Sequence, residues 1–158
     1  MTRPVSNSYI GEDEIMLKGI SQAISPELIK ILMEMGHGDE LVIADGNFPA
    51  AGIAQRLVRA DGLGIPVLLN AILQIFPLDQ YVEKSVALMS VVPGDPYKPV
   101  IWDEYQNVIL KHEPAFTKFE YVDRFAFYER AKKAFAVLAT SEMALYANII
   151  LKKGVIKE

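Results

Sequence analysis

Apolar positions along the chain follow two kinds of spacing, one typical of helices and one typical of buried strands. Residues 26–35 show the clearest helical pattern, because apolar side chains recur every three or four positions along them. Ser25 is a suitable N-cap, Pro26 fits the first helical position, and Gly36 follows where helices commonly end. The pattern therefore predicts an amphipathic helix over 26–35.

The same reasoning predicts the other elements and the fold class. Further helices are predicted at 65–76, 101–112 and 125–135. Short apolar runs predict strands at 41–44, 85–92, 119–122, 136–139 and 148–152. Residues 93–99 contain three prolines and are predicted to be irregular. Helices alternate with strands, so we predict an α/β fold: a single three-layer domain whose mostly buried sheet is covered by helices on both faces.

Residues 1–15 are polar and show neither a helical nor a strand period. We predict that they form a flexible N-terminal arm and that residues 16–158 form the domain. A length of 158 residues agrees with one domain. The N-terminal segment also lacks the cationic start and apolar stretch of a secretory signal.

Composition and charge narrow the function classes. Hydrophobic residues make up 51% of the chain and the formal net charge is only -4, which excludes general disorder. The apolar surplus favours a subunit interface. With 16 Lys and Arg against 20 Asp and Glu, the chain offers no basic surface for nucleic acid. No apolar run is long enough to suggest a membrane span.

The chain has no cysteine, which removes disulfide scaffolds, zinc ribbons and thiol catalysis and agrees with a reducing cytoplasm. Nucleotide-binding glycine motifs are also missing. The two histidines, His37 and His112, lie far apart and show no ligand-like spacing, so we expect no metal site. His112 is interpreted as a surface or capping residue.

His37 is the main candidate for acid–base chemistry. It stands between two glycines just beyond the carbonyl end of the predicted helix 26–35. That helix end and Asp39 would both favour a charged imidazole if they are close. Histidine titrates near neutral pH and is suited to proton transfer. The alternative interpretation is a histidine that only binds the last carbonyls of the helix.

Four other polar residues follow predicted strands or open one. Asp45 ends a buried apolar run, where α/β folds commonly bind ligands, but it could equally be a turn residue that binds its own backbone. Arg124 follows the predicted strand 119–122 and could be a solvated charge. Tyr146 and Asn148 are expected on one face of the last strand, where a phenol and an amide can bind a polyol. A tyrosine is also common in strands for its β-propensity alone.

Three blocks of sequence together resemble the fucose mutarotase / ribose pyranase family. The blocks are EMGHGDELVIADGNFPA, VDRFAFYERAKKAFAV and YANIILKKGV, and the resemblance extends from about residue 16 to residue 155. The second block is similar to the fucose mutarotase branch and the third is shared with the ribose pyranase branch. The resemblance implies a cofactor-free enzyme that interconverts the α and β anomers of L-fucopyranose. It also implies ring-shaped homodecamers whose sites are completed across subunit contacts.

By the same resemblance, His37 matches the catalytic histidine. The sugar-binding residues that it implies are Asp45, Arg124, Tyr146, Ala147 and Asn148. Mutarotation needs one group to take the proton of the anomeric hydroxyl and another to protonate the ring oxygen. We expect His37 to carry the main proton transfer, with Tyr146 as a candidate second group.

Two alternatives remain at this point. One is a D-ribose pyranase, against which Arg124 and the second block argue. The other is a non-catalytic monosaccharide-binding oligomer, against which we set the expectation that His37 lies beside Asp45.

Overall fold

A computed structural model describes residues 15–157. Within that range the helices are α1 (Pro26–Glu34), α2 (Ala50–Ile53), α3 (Ile65–Leu73), α4 (Ile101–His112) and α5 (Arg124–Lys133). The strands are β1 (Ile15–Leu17), β2 (Ile20–Ser21), β3 (Glu40–Ala44), β4 (Leu57–Ala60), β5 (Val86–Met89), β6 (Glu120–Val122), β7 (Ala136–Thr140) and β8 (Ile149–Lys152). The predicted arm lies outside the described residues except for Ile15, which begins β1.

Six of these strands form one sheet in the order β4-β7-β3-β8-β5-β6, and β1 pairs with β2 in a separate hairpin. Strand β8 is antiparallel to both of its neighbours, β3 and β5, and the other neighbouring pairs are parallel. The carboxyl ends of β3, β4, β5, β6 and β7 therefore lie at one edge of the sheet, which we call the carboxyl edge. Their amino ends lie at the opposite edge, which we call the amino edge.

Helices cover both faces of this sheet, as predicted. Side chains alternate across a strand, so Leu41 and Ile43 pack into one core with α1, α3 and α4. Val42 and Ala44 face the second core, which includes residues of α2 and α5. A strand buried on both faces has a continuous apolar sequence, and the four residues from Leu41 to Ala44 are fully buried. The predicted three-layer α/β fold is confirmed.

Local sequence signals explain why the bounds of α1 agree with the prediction. The Ser25 hydroxyl accepts a hydrogen bond from the Leu28 N–H at 3.1 Å, and Pro26 occupies the first turn.

Helix α5 is attached to the sheet by Arg130, which binds the Glu40 carboxylate at 2.6 Å and also pairs with Glu120. The hydrogen bonds from Arg130 to Glu40 are the largest of the effects that raise the pKa of the guanidinium.

The structure corrects several boundaries and adds elements. Helix α3 ends at Leu73 rather than 76, and β5 is shorter than the predicted strand 85–92. The buried face of α5 contains Phe127 and Ala131, whereas Tyr128 is only partly buried. The β1–β2 hairpin, α2 and β4 were not predicted. Helix α2 is a single turn, and β4 buries only Val58 fully, so neither carries a strong apolar pattern.

Candidate functional site

The carboxyl edge brings together the polar residues proposed to bind sugar. Asp45 follows β3 directly, and Arg124 begins α5 two residues after β6. Tyr146, Ala147 and Asn148 immediately precede β8, whose first residue pairs with Ile43 near the end of β3. Because β8 runs antiparallel to β3, its beginning lies beside the end of β3. The topology thus gathers all five residues at one edge.

Asp45 and Asn148 contact each other directly. The Asp45 N–H donates to Asn148 Oδ1 at 2.7 Å, which orients the buried Asn148 amide. The Asp45 carboxylate accepts the Asn47 N–H at 3.0 Å, so the turn interpretation of this residue is also correct. Burial of the carboxyl raises the pKa of Asp45 above its usual value, although hydrogen bonds from the following backbone oppose the change.

The prediction that residues 146–148 open the last strand is wrong. They form a constrained turn before β8, which begins at Ile149. Tyr146 has a φ of 56°, in the left-handed region that non-glycine residues rarely adopt. Two helical side chains hold this backbone: the Trp102 indole donates to the Tyr146 carbonyl at 2.8 Å, and the Tyr105 hydroxyl donates to the Ala147 carbonyl at 2.6 Å. The argument from strand alternation therefore does not apply to Tyr146 and Asn148.

Two further residues of the carboxyl edge bind the predicted side chains. The Tyr146 hydroxyl donates to Asp95 Oδ2 at 2.7 Å. The Arg124 guanidinium donates to the Tyr128 hydroxyl at 3.2 Å and lies over the Tyr128 ring, with 5.6 Å from Cζ to the ring centroid. Asp95 and Tyr128 were not singled out from the sequence. Asp95 lies in a loop without periodicity, and the spacing of Tyr128 within the predicted helix 125–135 gives no sign of a polar contact.

His37 lies at the amino edge, among a different set of residues. Its Nε2 is 3.0 Å from Oδ1 of Asp79, a buried carboxylate, and 43% of the His37 side chain is exposed. The Tyr81 ring lies 5.3 Å from the imidazole, and the Tyr81 N–H also donates to Asp79 Oδ1 at 3.0 Å. Asp39, the expected partner of His37, instead accepts the Gly36 N–H at the end of α1.

The charge on Asp79 is favoured where it lies. Burial of the carboxyl raises its pKa, but the hydrogen bonds from the Tyr81 N–H and the His37 ring act in the opposite direction, and so does the charge of Lys152. The net effect is a pKa below the usual value for aspartate. A carboxylate held in this way fixes the orientation of the imidazole and favours a proton on the nitrogen that faces it. Sequence spacing gave no signal for this pair, because Asp79 reaches His37 only through the register of the sheet.

The expectation that His37 lies beside Asp45 within one chain is wrong. The two residues flank opposite ends of β3, and a five-residue strand is about 13 Å long from its first to its last Cα atom. Near His37, the Gly38 N–H binds the Lys153 carbonyl just beyond the end of β8, whereas Asp45 binds Asn148 just before its start. One chain therefore presents two separate groups of candidate residues, one at each edge, which we call half-sites.

Other predictions concern residues outside these two groups. His112 ends α4 and its Nε2 lies 2.7 Å from Oδ1 of Asn70 on α3, so it joins two helices rather than only capping one. Among residues 15–157, no three His, Asp or Glu side chains are grouped as metal ligands would be. The helices within the same range are all too short or too polar to cross a membrane.

Comparison with known proteins identifies the family. The model of the RbsD / FucU transport protein family matches residues 18–156. The L-fucose mutarotase of Actinobacillus pleuropneumoniae serotype 5b is 54% identical over 140 residues, which cover 89% of this chain and 97% of that protein. The human fucose mutarotase is 51% identical over 148 residues, which cover 90% of this chain and 96% of that protein.

Solved structures agree with the sequence relatives. The fucose mutarotase from Streptococcus pneumoniae, in complex with L-fucose, superimposes with a TM-score of 0.85 at 53% identity and covers 89% of this chain and 100% of that one. Bacillus subtilis RbsD, complexed with D-ribose, gives a TM-score of 0.64 at 25% identity and covers 85% of this chain and 95% of that one. The family resemblance of the three sequence blocks is confirmed: the chain belongs to the RbsD/FucU family.

Proposed function

We propose that the chain is an L-fucose mutarotase, an isomerase that interconverts the α and β anomers of L-fucopyranose without a cofactor. The observation that carries this proposal is the 53% identity and TM-score of 0.85 with a fucose mutarotase that holds L-fucose. The relative complexed with D-ribose is only 25% identical, which argues against the ribose pyranase alternative. Arg124 and Tyr128, which contact each other at the carboxyl edge, belong to the sequence block similar to the fucose branch.

The reaction moves protons and breaks one bond. A base takes the proton of the anomeric hydroxyl while an acid protonates the ring oxygen, and the ring opens to an aldehyde. Rotation about the bond to the carbonyl carbon exposes its other face, and the ring closes with the proton transfers reversed. His37 is suited to one of these transfers because it is partly exposed and its imidazole is held by Asp79. Asp79 is the positioning residue, because its buried carboxylate lies 3.0 Å from Nε2 and holds the imidazole in one orientation.

The other half-site supplies binding and orientation. Asp45, Asn148 and Arg124 offer a carboxylate, an amide and a guanidinium at the carboxyl edge, where backbone contacts fix the first two. Such groups can bind several hydroxyls of a monosaccharide at once and hold its anomeric carbon in one place. Fixing the sugar against the proton-transfer group provides part of the rate enhancement.

We infer that these half-sites combine across a contact between two subunits. Proton transfer requires distances of about 2.6–3.2 Å, and the length of β3 separates the half-sites by far more than that. Both edges expose large apolar side chains, such as Tyr81 beside His37 and Phe125 next to Arg124. Large exposed apolar side chains are typical of interaction surfaces when they form a patch. We propose that the chain forms a homo-oligomer, namely the ring-shaped decamer that the family resemblance implies. This assembly would bury these surfaces and complete the sites.

The proposed setting is the cytoplasm, with a free monosaccharide as the partner and neither nucleic acid nor membrane involved. The acidic balance of the chain and its lack of cysteine support this proposal.

Saturation-transfer NMR of anomer exchange tests the function directly. We expect exchange of L-fucose faster than its spontaneous rate and less acceleration for D-ribose. His37→Ala should lose about 10²- to 10⁴-fold of the acceleration, which is the usual contribution of positioned proton transfer. His112→Gln is the matched control, since it changes the other histidine, whose ring contacts Asn70 of α3 and not a candidate site residue. Binding of L-fucose without acceleration would instead indicate a sensor, and full activity in His37→Ala would remove its proposed role.

A further inference from the structure

The Tyr146 phenol oxygen has little hydrogen-bonding capacity left for a ligand. A phenol offers one donor and two acceptor positions. Its proton is directed to Asp95 Oδ2 at 2.7 Å, and its oxygen accepts the Val92 N–H at 3.3 Å. One acceptor position therefore remains for a sugar.

Asp95 is held in a fixed orientation by its own loop. The Asp95 N–H donates to the Val92 carbonyl at 3.0 Å, and its Oδ1 accepts the Tyr97 N–H at 2.9 Å in a tight side-chain turn. The preceding Gly94 has a φ of +89°, which glycine tolerates without strain. The Tyr97 ring in turn stacks on Tyr146, with 6.0 Å between centroids and 25° between planes. The loop 93–99 thus presents a carboxylate to one face of the candidate site.

We propose that Asp95 is a positioning residue that turns the Tyr146 hydroxyl proton away from the sugar, so that Tyr146 accepts a hydrogen bond from a sugar hydroxyl and donates none. This assignment rests on the proposed function of the site. It removes Tyr146 as the acid that protonates the ring oxygen, a role that we had considered for it. It also makes the contact selective for a sugar that carries a hydroxyl donor at that position.

The electrostatics of the cluster agree with this geometry. The hydrogen bond to Asp95 raises the pKa of Tyr146, and the Asp95 charge acts in the same direction. The hydrogen bond from the Val92 N–H, which is the second largest effect, and the smaller effect of the Arg124 charge lower the pKa, but the net change is upward. The bond from Tyr146 lowers the pKa of Asp95, so the carboxylate stays charged and the phenol stays protonated at neutral pH. Tyr97, stacked on the ring, is a further titratable group that faces Tyr146.

Asp95→Asn tests the proposal with almost no change in shape. Asparagine has one side-chain oxygen, and the turn to the Tyr97 N–H keeps that oxygen occupied. Its amide N–H groups then face the Tyr146 oxygen and release the phenol proton toward the sugar. We expect KM for L-fucose to rise about 3- to 10-fold, with a smaller change in kcat, because a bond to a charged group is lost and the remaining polarity is reversed.

Matched variants separate this effect from a general loss of charge. Asp103→Asn removes an exposed carboxylate from the first turn of α4 and should leave KM unchanged. In a Tyr146→Phe background, Asp95→Asn should cause no further change in KM, because the phenol that Asp95 orients is gone. L-Fucose derivatives with one hydroxyl replaced by fluorine provide a second readout. The derivative altered at the Tyr146 contact should lose affinity in the wild type and lose less in Asp95→Asn, where the phenol can donate.

A sugar-free measurement makes the two proposals separately testable. In each background, the difference in tyrosinate absorbance between the protein with Tyr146 and the same protein with Tyr146→Phe reports the ionisation of Tyr146. This ionisation should occur at lower pH in Asp95→Asn than in Asp103→Asn. Fluorescence of Trp102, the only tryptophan, reports sugar binding beside the Tyr146 carbonyl. Binding of L-fucose without accelerated exchange would contradict only the proposed function. An unchanged KM or an unchanged Tyr146 titration in Asp95→Asn would overturn the role of Asp95.

Discussion

Two inactive variants should restore each other's activity if the site is shared between subunits. His37→Ala removes the proton-transfer group at the amino edge and leaves the carboxyl edge intact. Asp45→Ala does the reverse, and β3 keeps the two altered positions apart by at least about 13 Å. A chain that lacks one half-site can therefore contribute the other to a contact with a neighbour.

The size of the recovery follows from how subunits mix. If each contact joins the amino edge of one subunit to the carboxyl edge of the next, random mixing of the two variants in equal amounts makes about a quarter of the contacts intact, as expected for a head-to-tail interface. Each variant alone contains no intact contact. The mixture should therefore show about a quarter of the wild-type acceleration after subunit exchange.

The assay is L-fucose anomer exchange by NMR, measured on the mixture before and after partial unfolding and reassembly. Native mass spectrometry of isotope-labelled subunits verifies that mixed oligomers form. A mixture of His37→Ala with the double variant His37→Ala/Asp45→Ala is the control, because none of its contacts holds His37. Mixed oligomers that remain inactive would refute the two-subunit site.

Two further predictions concern stability. Gly154→Ala should lower the free energy of unfolding by about 1–3 kcal/mol, since the added Cβ would lie 2.5 Å from the Leu78 carbonyl oxygen, next to Asp79. Gly52→Ala in α2 meets no atom within 4 Å and should be neutral or slightly stabilising, and chemical denaturation compares the two variants. Asp45→Asn should raise the thermal midpoint at neutral pH while weakening sugar binding. The folded pKa of Asp45 is raised, so its ionised form opposes folding above that pKa, and this penalty disappears below the unfolded value of about 3.9. The thermal midpoints of the wild type and the variant should therefore converge as the pH falls. The same difference in midpoint at all pH values would contradict the raised pKa of Asp45.

The sequence specified the elements whose local signals agree with their burial. Helix α1 begins at the predicted Ser25 cap, and β3 is as apolar as a strand buried on both faces must be. Strand β4 was missed because it exposes Leu57 and Arg59 and buries only Val58, which leaves too weak a pattern beside the preceding turn of α2. Whether a short segment such as β4 becomes a strand depends on how the rest of the fold packs against it, not on the propensity of its four residues.

In the candidate site, the sequence likewise indicated the positions of some residues but not their partners. Asp45 could be placed at a strand end, and strand length alone already separates it from His37, since the residues between them form β3. The partners could not be deduced, because they depend on pairing across the sheet. Asp79 meets His37 only because its N–H binds the Lys152 carbonyl at the end of β8, and Asp95 meets Tyr146 through an irregular loop. Register and loop geometry are properties of the assembled fold.

Strand β8 has a consequence for which changes in chain length the protein tolerates. Its start fixes Asn148 beside Asp45, and its end fixes Gly154 against Leu78 and Asp79. An insertion or deletion of one residue within β8 would turn the following side chains to the opposite face of the sheet. It would therefore disturb the sugar-binding edge and the histidine edge in a single event. We expect variation in length among relatives to accumulate in surface segments such as 93–99 and to be excluded from these four residues.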